Sequence, residues 1–216
     1  MSENAGEILP ESHTLARVLA ALIVPGFPRG ERGTRRVIGM AGESGSGKTT
    51  AAARLAGLFE GEGRHCAIIH QDDYFLRPPR TNHDYRLADL TRVGPHEVNL
   101  RLMAEHIAAF RAGYSNVATP AVDYPGNRFL TRHVDFGACD VLIVEGTYVL
   151  QLADLDVRIF FDATHEDTDD RRRERARDID APLIREVLTI EHALIAPQAH
   201  KADIVVDRHF TVRRAE

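Results

Sequence analysis

Eight consecutive residues, Gly42-Glu43-Ser44-Gly45-Ser46-Gly47-Lys48-Thr49, satisfy G-x-x-x-x-G-K-[ST] at every specified position. Glycines at these positions let backbone N–H groups turn inward around phosphate oxygens without a side-chain clash. Lys48 is placed to reach the β- and γ-phosphates, and the Thr49 hydroxyl to ligate Mg²⁺. Gly42, Ser44, Gly45, Ser46, Gly47 and Thr50 complete the expected nucleotide contacts. The pattern implies binding of a magnesium-complexed nucleoside triphosphate, with ATP expected. It does not say what the triphosphate is for.

Two acidic positions supply the chemistry that such a loop lacks. His70-Gln71-Asp72-Asp73-Tyr74-Phe75 follows the apolar run CAIIH at 66–70. Phosphoryl transfer to an alcohol needs a carboxylate to accept the hydroxyl proton, and Asp72 is the leading candidate. Asp72 is also a candidate to assist the metal. Asp73 is read either as a helper of magnesium through water or as the cap of a turn. The bland alternative for the whole element is a solvated turn with Tyr74 and Phe75 in the core. In Asp140-Val-Leu-Ile-Val-Glu145-Gly146, four apolar residues carry the chain through a sheet and bring Glu145 out at its far end. A carboxylate there can orient magnesium directly or through water, and Gly146 leaves room for close backbone approach.

Arg171, Arg172, Arg173, Arg175 and Arg177 crowd a third segment. On a helix, Arg171 and Arg175 share a face, as do Arg173 and Arg177. One reading is a solvated, salt-bridged helix. The other is a lid whose arginines close over the triphosphate, with Arg171 and Arg175 stabilising the transferring group and Arg173 binding nucleotide. The eleven histidines are scattered; His192 and His200 do not space as metal ligands and H-E-x-x-H is absent, so no zinc site is expected.

These groups need a scaffold, and the hydrophobic pattern supplies one. Short apolar runs at 37–41, 66–70, 140–144, 157–161 and 204–206 read as buried strands. Helical patterns at 12–24, 49–59, 95–111, 168–178 and 183–195 alternate with them. In the 95–111 helix, Val98, Leu102, His106 and Ala109 share one side. The stretch from Pro78 to Arg92 reads as an extended loop, and 117–119 as a short strand before Pro120. Continuous apolar strands alternating with helices imply an α/β fold, three layers with a mainly parallel sheet. Ligands of such sheets bind outside the carboxyl ends of the strands, where every motif above falls. A Gly/Pro/Arg stretch at 25–36 separates an N-terminal helix and linker, 1–35, from the main domain, 36–216.

The bulk numbers narrow the partners. A chain of 216 residues with 44% hydrophobic and 27% charged content has the composition of one globular domain. A net charge of −5 argues against general nucleic-acid binding. No apolar run approaches the ~20 residues that span a bilayer. Cys66 and Cys139 lie in apolar runs without a disulfide or metal spacing and are expected as buried thiols in a cytoplasmic protein. A homo-oligomer is compatible with this composition.

In order along the chain, GESGSGKTT, QDDYF, VLIVEGTYVL, DDRRRERARD and IAPQAHKADIVV resemble the uridine kinase/phosphoribulokinase family, and the nicotinamide riboside kinase branch is also similar. The resemblance covers about residues 36–206. It implies a P-loop kinase with a helical lid that phosphorylates a hydroxyl of a small, often nucleoside, acceptor. By position it implies that Asp72 is the proton acceptor, that Glu145 is linked to magnesium, and that Arg171, Arg172, Arg173 and Arg175 belong to the lid. The departures lie on the acceptor side. Val93-Gly94-Pro95 stands where uridine kinases carry D-H-P. Pro120-Ala121-Val122-Asp123 keeps Pro and Asp of P-x-Y-D without its Tyr, and Arg128 follows without the usual histidine. Asp73, Tyr74, Asp123, Tyr124 and Arg128 are the candidate acceptor contacts, along with the loop from Phe75 to Arg92. The rival reading, a triphosphate-hydrolysing switch or assembly protein, is disfavoured by the absence of N-K-x-D and L-S-G-G-Q.

Overall fold

The computed structural model describes residues 10–26, 35–168 and 182–215. The arginines at 171, 172, 173, 175 and 177, and with them the expected lid helix beyond Thr168, lie outside the described residues.

Six strands form the central sheet: β1 (Arg36–Gly42), β2 (Cys66–His70), β5 (Val141–Gly146), β6 (Val157–Asp162), β7 (Ile204–Asp207) and β8 (Val212–Arg214). Their spatial order is β2-β5-β1-β6-β7-β8, parallel except for β8, which pairs antiparallel with β7. β1 and β5 are buried almost end to end, which is why they read as unbroken apolar runs. Two further strands, β3 (Val117–Asp123) and β4 (Arg128–Val134), form a separate antiparallel hairpin. Among the described residues the α-helices are α1 (Pro10–Ile23), α2 (Lys48–Gly61), α3 (Pro79–Ala88), α4 (Leu100–Ala112) and α5 (Pro182–Ile195).

The sheet has a core on each face, as a three-layer α/β fold requires. On one face Leu55 and Phe59 of α2 and Leu15, Leu19 and Ile23 of α1 cover Ile38, Met40, Ile143 and Ile159. On the other, Met103, Ile107 and Phe110 of α4 join Phe136, Leu142, Val144 and Tyr148. The N-terminal helix is thus part of the core. Leu19 is fully buried, so Leu19→Ala is expected to cost about 2–5 kcal/mol of stability, read as a lower urea midpoint.

Four local expectations are corrected. The stretch expected as a loop from Pro78 contains α3. Its sequence is poorly helical, and tertiary bonds hold it: Arg86 donates to both oxygens of Glu97 at 2.6 and 2.9 Å, and Asn82 Nδ2 donates to Glu97 at 2.9 Å. The helix expected over 95–111 splits into a 3₁₀ turn (Pro95–Glu97) and α4. The break occurs because the Asn99 side chain accepts from the Leu102 N–H and caps α4 there. The strand expected at 117–119 runs on through Pro120 to Asp123, and its partner β4, mostly exposed, carries no apolar run to announce it. Cys66 and Cys139 are half-buried rather than buried and form no disulfide among the described residues. Burial still pushes the Cys66 thiol up to about 12. No helix among the described residues is long and apolar enough to cross a membrane.

Candidate active site

The phosphate loop connects β1 to α2. Gly42, Gly45 and Gly47 have φ of 151°, 81° and 97°, values that L side chains rarely adopt. At Gly42 a Cβ would also meet the Phe161 carbonyl and the Ser46 hydroxyl. Lys48 Nζ donates to the Glu43 carbonyl at 3.0 Å, which draws the lysine back across its own loop. The Ser46 hydroxyl is buried and has no hydrogen-bond partner among the described residues. A buried orphan hydroxyl in a ring of inward-turned backbone is what an anion would satisfy. Thr50 is exposed on the first turn of α2.

The metal-side residues meet beside it. Thr49 Oγ1 donates to Glu145 Oε1 at 3.1 Å, and His70 Nδ1 lies 2.7 Å from the same oxygen. Burial pushes the Glu145 carboxyl up, but the His70 hydrogen bond, the Lys48 charge and the Thr49 hydroxyl outweigh it and hold the group below its ordinary value. The bond to Glu145, opposed by burial, raises His70. An ionised carboxylate next to a threonine hydroxyl is an all-oxygen donor pair of the kind Mg²⁺ takes, and the two residues fit that ion. Sequence reasoning did not single out His70. Its partner lies 75 positions away, and only the β2–β5 register, which sets His70 opposite Glu145, joins them.

The 3₁₀ turn Gln71–Tyr74 sends its four side chains to different places. Gln71 is buried beneath Gly146, where a Cβ would overlap it; its amide donates to Thr147 Oγ1 at 2.8 Å and accepts from the Tyr148 N–H at 2.7 Å. Asp72 faces the cleft and accepts from the Tyr124 hydroxyl at 3.1 Å. Asp73 is buried and accepts from the Val122 N–H at 2.8 Å, so it fastens the hairpin instead of facing the cleft. Burial raises its carboxyl. Tyr74 is a correction to the acceptor set. It is 2% exposed, with its hydroxyl 2.7 Å from His106 Nδ1, and belongs to the core.

Asp123 and Arg128 form an exposed ion pair at the base of the hairpin turn, 2.9 Å apart, and do not line the cleft; Tyr124 does. The cleft has a volume of about 330 Å³. Its floor is Ser44, Gly45, Lys48 and Thr49, with Asp72, Glu145 and Thr147 on the sheet side. Asn82, His83 and Arg86 from α3 and Ile184, Val187, Leu188 and Glu191 from α5 form the far wall. The α3 residues of this wall fall within the 75–92 stretch expected among the acceptor contacts, whereas those of α5 were not expected at the site. α3 itself was read as loop, and α5 only as a second helix following the arginine segment. Thr168 Oγ1 donates to the Ser44 carbonyl at 3.1 Å and ties the segment after β6 to the loop.

Comparison with known proteins agrees with this geometry. Residues 37–214 match the family model described as phosphoribulokinase/uridine kinase family. The chain is 30% identical over 184 residues to a uridine kinase of Macrococcus caseolyticus (strain JCSC5402), covering 79% of this chain and 86% of that protein. It is 28% identical over 197 residues to a bifunctional alpha-galactosidase/sucrose kinase of Mediterraneibacter gnavus; the match takes in 85% of this chain and 21% of that protein. Among solved structures, a possible uridine kinase from Bacillus stearothermophilus superposes with a TM-score of 0.59 at 18% identity, over 90% of this chain and 98% of that one. The phosphoribulokinase from Rhodobacter spheroides gives 0.59 at 18% identity, over 81% and 70%. At those identities the superpositions speak for the fold alone. The phosphate loop, the Asp72 turn and the Glu145 strand sit together at the carboxyl edge of one mainly parallel sheet, and the chain belongs to the phosphoribulokinase/uridine kinase family of P-loop kinases.

Proposed function

We propose that the protein transfers the γ-phosphoryl group of ATP, with Mg²⁺, to a hydroxyl of a small nucleoside-like acceptor. The observation that carries this reading is the position of Asp72. It is an exposed carboxylate in the same cleft as Lys48 and Thr49, oriented by the Tyr124 hydroxyl. A cleft of about 330 Å³ suits a small molecule and admits no folded partner.

In this mechanism the inward-turned loop and Lys48 hold the phosphates of the donor. Thr49 directly, and Glu145 directly or through water, would hold the metal, whose charge offsets that on the β- and γ-oxygens. Asp72 accepts the proton of the acceptor hydroxyl as its oxygen bonds to the γ-phosphorus and the bond from that phosphorus to the leaving ADP oxygen breaks. Tyr124 keeps the carboxylate turned toward the cleft. Glu145, ionised and buried, does not compete for that proton. Arg171 and Arg175 are assigned to the transferring group, and Arg173 to nucleotide.

Similarity to uridine kinases and to a sucrose kinase sets the test panel. ADP release is measured with ATP and with GTP against nucleosides, nicotinamide riboside, pantothenate, and mono- and disaccharides. A nucleoside-like acceptor is expected to raise turnover well above background hydrolysis. ADP release that no small molecule accelerates would favour the triphosphate-hydrolysing switch instead.

A further inference from the structure

Glu43, His165 and His192 converge beside the phosphate loop, and no step of the phosphoryl transfer uses their side chains. Their candidate ligand atoms all lie within 4.8 Å of one another. His192 Nδ1 is 2.6 Å from Glu43 Oε1, and His165 Nδ1 is 3.5 Å from Glu43 Oε2. The two imidazoles stand edge to face, with centroids 5.9 Å apart. Each residue comes from a different element. Glu43 follows β1, His165 lies in the turn after β6, and His192 is in the last turn of α5.

We propose that these three side chains form a binding site for a divalent transition-metal ion of the Zn²⁺ type, separate from the magnesium position at Thr49 and Glu145. Two imidazoles and one carboxylate suit zinc, cobalt or nickel, whereas Mg²⁺ takes oxygen ligands and keeps its waters. The Glu43 side chain is 8% exposed and that of His192 42%, so the site has a buried anionic base and an open side. The open side gives the ion an entry path and leaves a fourth position for water. Ligand atoms at about 2.0–2.2 Å from a tetrahedral ion stand roughly 3.3–3.5 Å apart. His165 already stands at that spacing from Glu43 Oε2, and His192, which faces the other oxygen, Oε1, needs to withdraw by roughly 0.7–0.9 Å, so the carboxylate presents a different oxygen to each ring. The mounting is firm on the loop side. The Glu43 carbonyl accepts from Lys48 Nζ at 3.0 Å and from the Ser46 N–H at 3.2 Å. Thr168 bonds to the Ser44 carbonyl close to His165. The sequence concealed this set because His192 lies 149 positions from Glu43, and the histidine nearest to it in sequence, His200, belongs to another element.

The probe is Co²⁺, added to tag-free protein in excess Mg²⁺ and then displaced by Zn²⁺. The expected result is a visible band of tetrahedral Co²⁺ that saturates at one equivalent and disappears with Zn²⁺. His165→Ala and His192→Ala are each expected to weaken binding about tenfold or more, and His200→Ala to leave it unchanged. Thermal stabilisation by Mg·ATP shows that each variant is folded; where an alanine variant lacks it, His→Gln at the same position takes its place. Absence of the band in the wild type overturns the site, as does equal binding by the folded histidine variants. A sulfur-to-cobalt charge-transfer band would place the ion at Cys66 or Cys139 and also overturn it.

Discussion

Asp72→Asn is expected to lower kcat by about 10²–10⁴-fold while ATP binding stays at the wild-type level. The substitution keeps the size of the side chain and leaves an oxygen to accept from Tyr124, whose hydroxyl lies 3.1 Å from Oδ2. What it removes is the ability to take a proton. Its hydrogen bond runs to Tyr124 and not to the phosphate loop, Thr49 or Glu145, so nucleotide affinity is expected to hold. Acceptor-dependent turnover and equilibrium ATP binding, measured on the same preparation, separate the two effects. Near wild-type kcat in the variant would show that the proton leaves by another route. A parallel loss of ATP affinity would instead make Asp72 a structural support of the loop.

The largest expected effect on stability lies in the far wall. Arg86 stands between Glu97 and Glu191, with N–O distances of 2.6 Å to the first and 3.1 Å to the second, and its side chain is 15% exposed. Glu97 keeps two other donors, Asn82 Nδ2 at 2.9 Å and the Gly94 N–H at 2.8 Å. Arg86→Met leaves both carboxylates without their cation and is expected to destabilise the fold by about 3–5 kcal/mol. Burial already raises the Glu191 carboxyl, against the opposing pull of Arg86. Without the arginine that rise grows. A carboxyl whose folded value exceeds its unfolded one contributes stability below the unfolded value and loses it as pH rises through the folded one. The deficit is therefore expected to be largest at neutral pH and to shrink as pH falls toward the ordinary glutamate range, about 4.3. Urea unfolding of both proteins at about pH 5 and pH 7.5 measures this. An equal deficit at both values would mean that lost packing, not charge, dominates.

The donor half of the site was legible because its chemistry is local. A glycine loop between a strand and a helix fixes its own backbone, so Gly42 to Thr49 could be read without knowing the rest of the fold. Glu145 was legible for a related reason, since an apolar run ending in an acid brings that acid out at the sheet edge. His70 was not, because its role depends on strand register. The turn at 71–74 was read partly amiss for a geometric reason. With about three residues per 3₁₀ turn, Gln71 and Tyr74 both face inward, so an aromatic two positions after the cleft-facing Asp72 falls in the core. The acceptor half is written in tertiary contacts. α3 holds its shape through Glu97, on a different element, and Glu191 is a glutamate on a helix until α5 is packed across the cleft.

The hairpin of β3 and β4 belongs to neither half of the sheet. It hangs from the turn after β2 by the Asp73 bond to the Val122 N–H, and Tyr124 at its tip supplies the contact to Asp72. Substitutions along its exposed strand β4 leave the loop that grips phosphate untouched. The hairpin thus works as an outrigger: a ribbon outside the central sheet reaches the cleft through one residue at its tip, Tyr124.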